Sequence, residues 1–390
     1  MSRRPIDRSP DLLRLRNEGY DLDIRGGYLL VRDVPYVDGA AAIRRGVLIS
    51  RLELAGDTTV KPTDHVCYWT GEHPCHADGS KITTIENPSE PQDFGDGVKA
   101  DYTFSAKADY RDYHHKITTY IGRIAGEAAS LDPDVTARTY PAVAADDAES
   151  VFKYVDTATS RANIGPVNAK LAGQRVAILG LGGSGSYVFD LVAKTHVFDI
   201  HLIDGDVFAQ HNAFRAPGAA PLEALERKPK KVAYFAEVYG AMRNRLHVHD
   251  VFIDETNVAL LDGMDFVFVC IDEGEPKRLA VERLVRNETP FVETGMGVLL
   301  RDDQLGGIAR VAVSAPDRRE AAARHISYAD GDAAANEYAA NIQIAELNAL
   351  SAALAVIEWK KLFGVYRDTS RNHHLGYSIA SGDLVREGAA

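Results

Sequence analysis

The sequence predicts an α/β protein with two domains, a large one built on a mostly parallel sheet and a smaller α+β domain before it. The length of 390 residues exceeds that of one ordinary domain. From residue 175 onward, short apolar runs alternate with helical patterns, as in parallel strands joined by helices. Before residue 150, short strand patterns are separated by turn-rich stretches. We therefore assign residues 1–145 to the smaller domain and residues 146–390 to the larger one.

In the smaller domain, alternating apolar residues predict strands, and an apolar period near 3.6 predicts helices. Helices are expected at residues 10–16 and 110–129. Strands are expected at residues 28–32, 46–50, 51–54, 65–69 and 100–105. Residues 132–150 contain two prolines and many small residues, and they are expected to connect the two domains.

The larger domain opens with a glycine-rich loop between an apolar strand pattern and a helical pattern. Its glycines are Gly180, Gly182, Gly183 and Gly185. A second apolar strand ends in Asp204, about 20 residues beyond the last glycine. This order is the fingerprint of a Rossmann-like nucleotide site. The glycines permit a tight turn and close approach of phosphate to the backbone, the helix N-terminus faces the anion, and the carboxylate is placed for ribose hydroxyls.

Charged and amide side chains follow this loop in a set that exceeds what holding a dinucleotide requires. The set comprises Asp206, Asn212, Arg215, Lys228, Lys230, Lys231 and the strand-end residue Asp272. Fixed cations stabilise the charge that develops on an attacked phosphate. A carboxylate at a strand end suits Mg²⁺, which binds through one or two carboxylates and substrate phosphates. The pattern predicts a reaction at a polyphosphate.

Further elements complete the predicted sheet. A helix is expected at residues 276–286, and strands are expected at residues 291–297 and 307–313, the latter antiparallel at the sheet edge. Residues 374–380 are expected to form a last strand. A helix at residues 344–357 is expected to carry an apolar stripe that could serve as a dimer face. The stripe consists of Ile344, Leu347, Leu350, Leu354 and Ile357.

At these residues the sequence resembles the ThiF/MoeB family, bacterial relatives of ubiquitin-activating enzymes, over roughly residues 155–365. The resemblance rests on the Gly-x-Gly-Gly-x-Gly loop, Asp204-Gly-Asp206, Asn212-Ala-Phe-Arg215, Lys231 or its neighbour Lys230, and Asp272. It implies adenylation of the C-terminal carboxylate of a ubiquitin-like protein, with ATP and Mg²⁺ and with release of pyrophosphate. Residues 317–335 would then form a mobile crossover over the adenylate site.

The resemblance also implies individual roles. The implied catalytic residues are Arg215, Lys231, Asp272 and Arg161, of which Asp272 holds Mg²⁺ with ATP and Arg161 reaches into the partner subunit's site of a homodimer. The implied ATP-binding residues are Gly180, Gly182, Gly183, Gly185, Asp204, Asp206 and Asn212. Other readings stay open at this point: Asp206 could cap a turn, His211 is expected to be a loop residue, and Lys228 and Lys230 are expected to be solvated.

Two departures from the family concern cysteine. The chain has no Cys-x-x-Cys pair, so the family's structural zinc is not expected. No cysteine follows Cys270, which is itself expected to be a buried structural thiol. The usual thioester carrier is therefore missing. The remaining candidates for the acyl carrier are Cys67, Cys75, a hydroxyl such as Ser327, or a cysteine on a partner protein, which we favour.

The smaller domain contains a cluster of potential metal ligands and acyl carriers. It comprises Cys67, Glu72, His73, Cys75 and His76, with His114 and His115 further along. The spacing matches no standard zinc motif, and a docking loop is the preferred interpretation. Residues 71–79 and 104–107 resemble a domain fused ahead of ThiF-like modules in bacterial operons that encode ubiquitin-like proteins, a conjugating-enzyme-like protein and a JAB-type peptidase. That likeness implies a bacterial ubiquitin-like conjugation pathway, with antiviral defence as its setting.

Composition narrows the function classes. The net charge of −12 and the lack of a basic block argue against nucleic-acid binding. The absence of an 18-residue apolar run argues against a membrane span, and three cysteines with no apolar leader indicate a cytoplasmic protein. Three alternatives remain: activation of a sulfur carrier for cofactor synthesis, an NAD-dependent oxidoreductase, and a scaffold that binds a ubiquitin-like tail without turnover.

Overall fold

The computed structural model describes residues 4–145, 150–272, 274–328 and 342–388. The chain divides into two compact units. The first comprises Met1–Ser150 and Tyr154–Asn163, and the second comprises Val151–Lys153 and Ile164–Ala390. The predicted boundary between residues 145 and 146 falls at the edge of the undescribed stretch 146–149, and it stays a prediction.

The first unit contains a five-stranded antiparallel sheet in the order β1-β2-β3-β6-β9. The strands of the whole unit are β1 (Asp21–Arg25), β2 (Tyr28–Val37), β3 (Ile43–Arg51), β4 (Leu54–Ala55), β5 (Thr58–Thr59), β6 (Val66–Thr70), β7 (Gln92–Asp93), β8 (Lys99–Ala100) and β9 (Tyr102–Ser105), of which β4–β5 and β7–β8 form two small separate sheets. Its helices are α1 (Arg4–Arg8), α2 (Pro10–Asn17), α3 (Tyr113–Leu131) and α4 (Thr157–Arg161), with a 3₁₀ turn at Thr83–Ile85. The prediction of an α+β domain is confirmed.

Two strand boundaries in this unit differ from the prediction. Residues 46–50 and 51–54 were expected to be separate strands, whereas β3 is a single strand that pairs with both β2 and β6. The chain then turns through Gly56, whose φ of +64° favours glycine, so that residues 54–59 form the small β4–β5 hairpin. Residues 100–105 are likewise split between β8 and β9.

Helix α3 covers the sheet of the first unit. It begins after Asp112, whose carboxylate accepts the backbone N–H of His115 at 2.7 Å, a standard N-cap. Its buried residues recur at helical spacing, which explains why the sequence folds this segment as a helix. They are Tyr113, Lys116, Ile117, Tyr120, Ile121, Ile124 and Ala128.

The second unit contains an eight-stranded sheet in the order β12-β11-β10-β13-β14-β15-β16-β17. Its strands are β10 (Arg175–Leu179), β11 (Asp199–Ile203), β12 (Leu246–His249), β13 (Phe266–Val269), β14 (Phe291–Arg301), β15 (Gln304–Ser314), β16 (Asn372–Ser378) and β17 (Leu384–Gly388). The first five strands in this order are parallel and the last three extend the sheet antiparallel. This confirms a mostly parallel, Rossmann-like sheet, but β15 lies inside the sheet and β17 forms the edge that was expected for residues 307–313.

Helices cover both faces of this sheet, as parallel connections require. They are α5 (Gly165–Asn168), α6 (Gly183–Ala193), α7 (Gln210–Ala213), α8 (Leu222–Arg227), α9 (Lys231–Gly240), α10 (Gly274–Arg286), α11 (Arg319–Ala323) and α12 (Ala345–Leu362), with 3₁₀ turns at Ala169–Leu171 and Val258–Leu261. The predicted crossover at residues 317–335 begins with α11, and its part from residue 329 onward lies outside the described residues.

The buried face of α12 differs from the predicted apolar stripe. Of that stripe only Leu347 is buried, at 9% exposed, whereas Ile357 is 39% exposed. The helix instead buries small and polar residues together with Trp359. They include Asn348, Ser351, Ala352 and Ala355. Small side chains allow close packing, and α12 packs closely on α6, the helix of the glycine loop. The use of the stripe as a dimer face stays a prediction.

A fully buried carboxylate connects the antiparallel half of the sheet to its surroundings. Glu293 on β14 is 0% exposed and accepts from Lys277 Nζ on α10 and from Arg310 on β15, each at 2.7 Å. The same two cations donate to backbone carbonyls, Lys277 to Ser327 at 3.0 Å and Arg310 to His325 at 2.6 Å. Because a buried charge is stable only when paired, this cluster fixes residues 325–327 against the sheet.

No helix in the described part of the chain combines the length and the apolar character needed to cross a membrane.

Candidate active site

A cavity of about 260 Å³ opens at the carboxyl ends of β10, β11 and β13, where ligands bind in parallel α/β sheets. It is lined by residues from the glycine loop, the end of β11 and the segment after β13. The predicted site residues that line it are Gly180, Gly182, Gly183, Asp204, Asp206, Arg215, Lys231 and Asp272. Three predicted residues, Gly185, Asn212 and Arg161, do not line it.

The glycine loop has a conformation that larger residues cannot adopt. Gly180 has a φ of +88°, and a Cβ there would lie 2.8 Å from the carbonyl oxygen of Cys270. A Cβ on Gly185 would lie 1.8 Å from the carbonyl oxygen of Gly180, so this glycine lets α6 pack against its own loop. Gly182 is different, since nothing lies within 4 Å of its Cβ position. The loop is therefore tightly packed at Gly180 and Gly185. It is open at Gly182, which precedes the N-terminus of an 11-residue helix.

Asp204 holds the loop and the end of β11 together. Its Oδ2 accepts the backbone N–H of Leu181 at 2.7 Å, and its Oδ1 accepts the backbone N–H of Asp206 at 2.8 Å. The residue is 9% exposed. Both carboxylate oxygens thus already accept hydrogen bonds from the backbone. Contact with ribose hydroxyls, the role implied by the sequence, stays a prediction.

Lys231 and Lys230 point to different surroundings. Lys231 is 6% exposed and lines the cavity, where its Nζ lies 2.6 Å from Asp206 Oδ2 and 3.5 Å from Asp204 Oδ2. Lys230 donates to the carbonyl of Gly205 and pairs with Asp250 at 3.1 Å, and its side chain is 43% exposed. This geometry favours Lys231 over Lys230 as the cavity cation. Lys228 ends α8 in the left-handed conformation.

Arg215 contributes the second cation of the cavity. Its Nε is buried and has no hydrogen-bond partner among the described residues. A buried, unsatisfied guanidinium nitrogen is costly, and an anionic ligand would satisfy it. Two hydrogen bonds hold the backbone of Arg215 in place. Its N–H donates to the carbonyl of Asn212, and its carbonyl accepts from the side-chain amide of Asn348.

The three predicted residues that do not line the cavity each make a contact elsewhere in the protein. Gly185 provides the close helix–loop contact described above. Asn212 is 4% exposed, and its Oδ1 accepts the backbone N–H of Ala209 at 2.9 Å, which caps the short helix that leads to Arg215. Arg161 ends α4 in the first unit, where its guanidinium lies 5.5 Å from the centre of the Tyr140 ring. Its predicted role across a dimer stays a prediction.

Asp272 follows β13 as an exposed carboxylate on the cavity wall. The amide of Gln343 donates to its Oδ2 at 3.1 Å. An exposed carboxylate beside a phosphate-binding loop is a suitable donor for Mg²⁺, which prefers oxygen ligands and keeps several waters and phosphate oxygens. The residues present therefore fit a magnesium ion carried in with a nucleotide.

The sequence analysis did not identify Asn348, which touches three parts of the site. A Cβ on Gly183 would lie 2.0 Å from its amide nitrogen, Ser184 donates to its Oδ1 at 3.1 Å, and its own amide donates to the carbonyl of Arg215 at 3.4 Å. The residue is 0% exposed. An asparagine within the first turn of a mostly apolar helix was the available signal, because a buried amide must find partners.

None of the three cysteines is suited to nucleophilic attack. Burial raises the pKa of Cys67 to about 12, and it raises the pKa of Cys75 as well. Cys270 lines the cavity, yet burial of its thiol raises its pKa to about 12. The thiolate is the reactive form, so these groups are largely protonated near neutral pH. Ser327 is exposed, and its carbonyl accepts from Lys277.

The structure separates the potential ligands of the first unit. Cys67 lies fully buried in the core, and His76 pairs with Glu127 at 2.8 Å. His114 pairs with Glu18 at 3.0 Å. Among the described residues, the group that brings three ligand atoms close together lies in the second unit instead.

Two protein-family models match the chain. A protein-family model described as "ThiF family" matches residues 157–387. A second model, described as "Domain of unknown function (DUF6791)", matches residues 10–157. The chain has no match among curated proteins.

Several solved structures are similar to the chain. The microcin C7 biosynthetic enzyme MccB in complex with N-formylated MccA is 18% identical, with a TM-score of 0.47 over 60% of this chain and 70% of that one. E. coli MccB with AMPCPP and MccA is 20% identical, with a TM-score of 0.46 over 60% and 69%. PaaA is 19% identical, with a TM-score of 0.44 over 57% and 75%. The chain spans 66% of a further MccB structure, that with succinimide.

The packing of the loop yields a stability prediction. Gly185→Ala should lower the free energy of unfolding of the second unit by about 1–3 kcal/mol, because the new methyl group forces the loop and helix apart. Gly240→Ala is the matched control: nothing lies within 4 Å of its Cβ position at the end of α9, and it should raise stability by about 0.5–1 kcal/mol. Urea denaturation of both variants without nucleotide measures the difference. Equal stability of the two variants would contradict the packing described here.

Proposed function

The chain belongs to the ThiF family, and on that premise we propose that it adenylates the C-terminal carboxylate of a ubiquitin-like protein with ATP. In the proposed reaction, a carboxylate oxygen of the substrate attacks the α-phosphorus of ATP. The bond from that phosphorus to the bridging oxygen breaks, pyrophosphate leaves, and an acyl-adenylate forms. The attacking group belongs to the substrate, so the chain needs to supply no nucleophile.

One observation carries this proposal: two cations and a carboxylate line the same cavity as the open face of the glycine loop. Arg215 and Lys231 can stabilise negative charge on the phosphate oxygens as it develops, and Asp272 adds an oxygen donor. An oxidoreductase that holds NAD needs neither cation for hydride transfer. The set therefore favours phosphate chemistry over the oxidoreductase alternative.

The ion pairs of Lys231 suggest how the site changes on binding ATP. Before a nucleotide enters, the ammonium is held by Asp206 and Asp204, which prevent an isolated buried charge. A polyphosphate brings competing negative charge. We propose that Lys231 then shares its protons between the phosphates and Asp204, while the half-exposed Asp206 carboxylate turns towards solvent.

Magnesium bound with ATP would neutralise phosphate charge and orient the leaving pyrophosphate. The chain's own contribution is positional: Asp272 presents its carboxylate at the mouth of the cavity, with the Gln343 amide fixing one oxygen. The open Gly182 position lets phosphate approach the N-terminus of α6 closely.

The second step of the proposal concerns the acyl acceptor. Because burial raises the pKa of all three thiols of the chain, a cysteine on a partner conjugating-enzyme-like protein is a better acceptor than Cys67, Cys75 or Cys270. We propose direct transfer from the adenylate to that partner, with the first unit as its docking domain. The pathway would be a bacterial ubiquitin-like conjugation system, with antiviral defence as its setting, and the enzyme would act in the cytoplasm as a homodimer to which Arg161 contributes in trans.

Substitutions of the two cations test the first step. Arg215→Ala and Lys231→Ala should each lower the rate of ATP–pyrophosphate exchange about 10²–10³-fold, because each removes a fixed charge from the developing phosphate oxygens. Lys230→Ala is the matched control and should retain most of the rate, since its side chain pairs with Asp250. Melting temperatures would show that the variants are folded. Normal exchange by Lys231→Ala with loss in Lys230→Ala would move the assignment by one residue.

Replacement of the strand-end carboxylate tests the metal. Asp272→Asn should weaken Mg²⁺-dependent turnover much more than ATP binding without metal, because the substitution removes an anionic oxygen while keeping the size of the side chain. Calorimetric titration with ATP, in EDTA and then in Mg²⁺, separates the two effects. An equal loss in both conditions would mean that Asp272 has a structural role.

Covalent adducts test the acyl acceptor. Enzyme, Mg·ATP and the ubiquitin-like protein, mixed without any conjugating partner, should give acyl-adenylate but no enzyme-linked product on a denaturing gel. A thiol-sensitive adduct that disappears in Cys67→Ala or Cys75→Ala would place the carrier in the first unit. An adduct that resists thiols and yields to hydroxide would indicate a hydroxyl such as Ser327. Either adduct would refute direct transfer.

A further inference from the structure

Three potential metal ligands from separate segments of the second unit converge away from the nucleotide cavity. They are His325 in the turn after α11, His373 on β16 and Glu387 on β17. One ligand atom from each lies within 4.8 Å of the other two. None of the three lines the cavity at the glycine loop.

The carboxylate oxygen lies close to both imidazole nitrogens, at separations near those of donor atoms around a metal ion. His325 Nε2 lies 3.5 Å and His373 Nε2 lies 3.8 Å from the same atom, Glu387 Oε2. Direct N–H···O hydrogen bonds are typically about 2.7–3.2 Å long, so both contacts are too long for them. Zn²⁺ binds histidine nitrogen and carboxylate oxygen at about 2.0–2.2 Å, which in a tetrahedron separates donor atoms by about 3.3–3.6 Å. The separation of 3.5 Å from His325 falls in this range, and the separation of 3.8 Å from His373 is slightly longer.

A β-bulge aims His373 at this point. Neighbouring residues of a regular strand face opposite sides of a sheet, so His373 and His374 would ordinarily diverge. The register between β16 and β17 shifts here: Asn372 pairs with Gly388 and His374 pairs with Glu387, so His373 is the extra residue. Bulges of this kind re-aim side chains at functional sites. The bulge brings His373 to the side of its sheet on which Glu387 lies.

The position of His325 is fixed by contacts that do not depend on a metal. Its ring stacks on that of His374, with centroids 4.0 Å apart and planes 10° apart. Its carbonyl accepts from Arg310, which is paired in turn with the buried Glu293. The side chains of His325 and His373 are 21% and 16% exposed, whereas that of Glu387 is 52% exposed. Two mostly buried imidazoles thus lie beside a half-exposed carboxylate.

We propose that His325, His373 and Glu387 bind one divalent transition-metal ion, and Zn²⁺, which accepts both histidine nitrogen and carboxylate oxygen, is the ion used to test it. The set of two histidines and one carboxylate leaves a fourth position open to water or to a donor from another molecule. The site differs from the family's zinc, which two Cys-x-x-Cys pairs hold and this chain lacks. A bound ion would tie the segment that follows α11 to the last two strands of the sheet.

The test uses the full chain, stripped with EDTA, desalted and titrated with Zn²⁺ in the absence of nucleotide. One Zn²⁺ per chain should bind, and it should raise the melting temperature by favouring the folded state. His373→Ala and Glu387→Gln should each weaken this binding by more than about ten-fold, since removal of a direct ligand costs at least as much as loss of an outer-shell partner. Because Glu387 is half-exposed, Glu387→Gln keeps the test valid if His373→Ala does not fold.

The matched control is His247→Ala, which removes a half-exposed histidine from the stacked group of His201, His247 and His249 in the same unit. It should leave the Zn²⁺ affinity unchanged. Unchanged affinity in both His373→Ala and Glu387→Gln would overturn the proposal, as would loss of binding in His247→Ala alone. Co²⁺ in place of Zn²⁺ should show the visible absorption of a tetrahedral site in the native chain and lose it in Glu387→Gln. ATP–pyrophosphate exchange is not part of this readout, so the outcome is independent of the proposed adenylation.

Discussion

The carboxylate of Asp204 joins the elements that form the nucleotide site. It accepts one backbone N–H from the glycine loop and one from the turn after β11, and the ammonium of Lys231 lies against the same oxygen that binds the loop. Because the residue is almost fully buried, these contacts are weakly screened by water and are costly to lose. The loop, the second strand and the Lys231 ammonium therefore keep a fixed relation before any ligand binds. Such preorganisation is what charge stabilisation in a transition state requires.

A second buried carboxylate, Glu293, has the corresponding role in the antiparallel half of the sheet. It pairs with cations from α10 and β15, which also bind the carbonyls of His325 and Ser327. The two halves of the unit thus have different tasks. The parallel strands present the nucleotide cavity, while the antiparallel strands and the turn after α11 present the histidine–carboxylate cluster. The bulge at His373 changes the aim of one side chain without breaking the sheet.

The sequence predicted which residues of the parallel half lie together, because its signals are local: a strand, four glycines, a helix and a strand-end acid. The roles of these residues stay predictions. Eight of the proposed residues line one cavity. Contacts across long separations were beyond such patterns. Asn348 meets the glycine loop from a helix more than 160 residues later, and sequence periodicity favoured an apolar stripe that did not include it. Similarly, the apolar pattern indicated a strand close to β16, but its pairing with β15 and the further strand β17 depend on non-local contacts that such patterns do not encode.

The two sheets differ in how far apart along the chain their paired strands lie, and this difference bears on synthesis at the ribosome. In the first unit, β1, β2 and β3 pair in succession, so this part of the sheet can form as soon as a short stretch of chain has emerged. In the second unit, the glycine loop follows the interior strand β10, which pairs with β13, and the Arg175–Asp265 contact at their ends spans 90 residues. Non-local pairing of this kind is slow and leaves apolar strands exposed while the chain is incomplete. We expect the nascent chain to present a folded first unit followed by an unfinished nucleotide domain, for which chaperones would have the greatest affinity until β13 has been made.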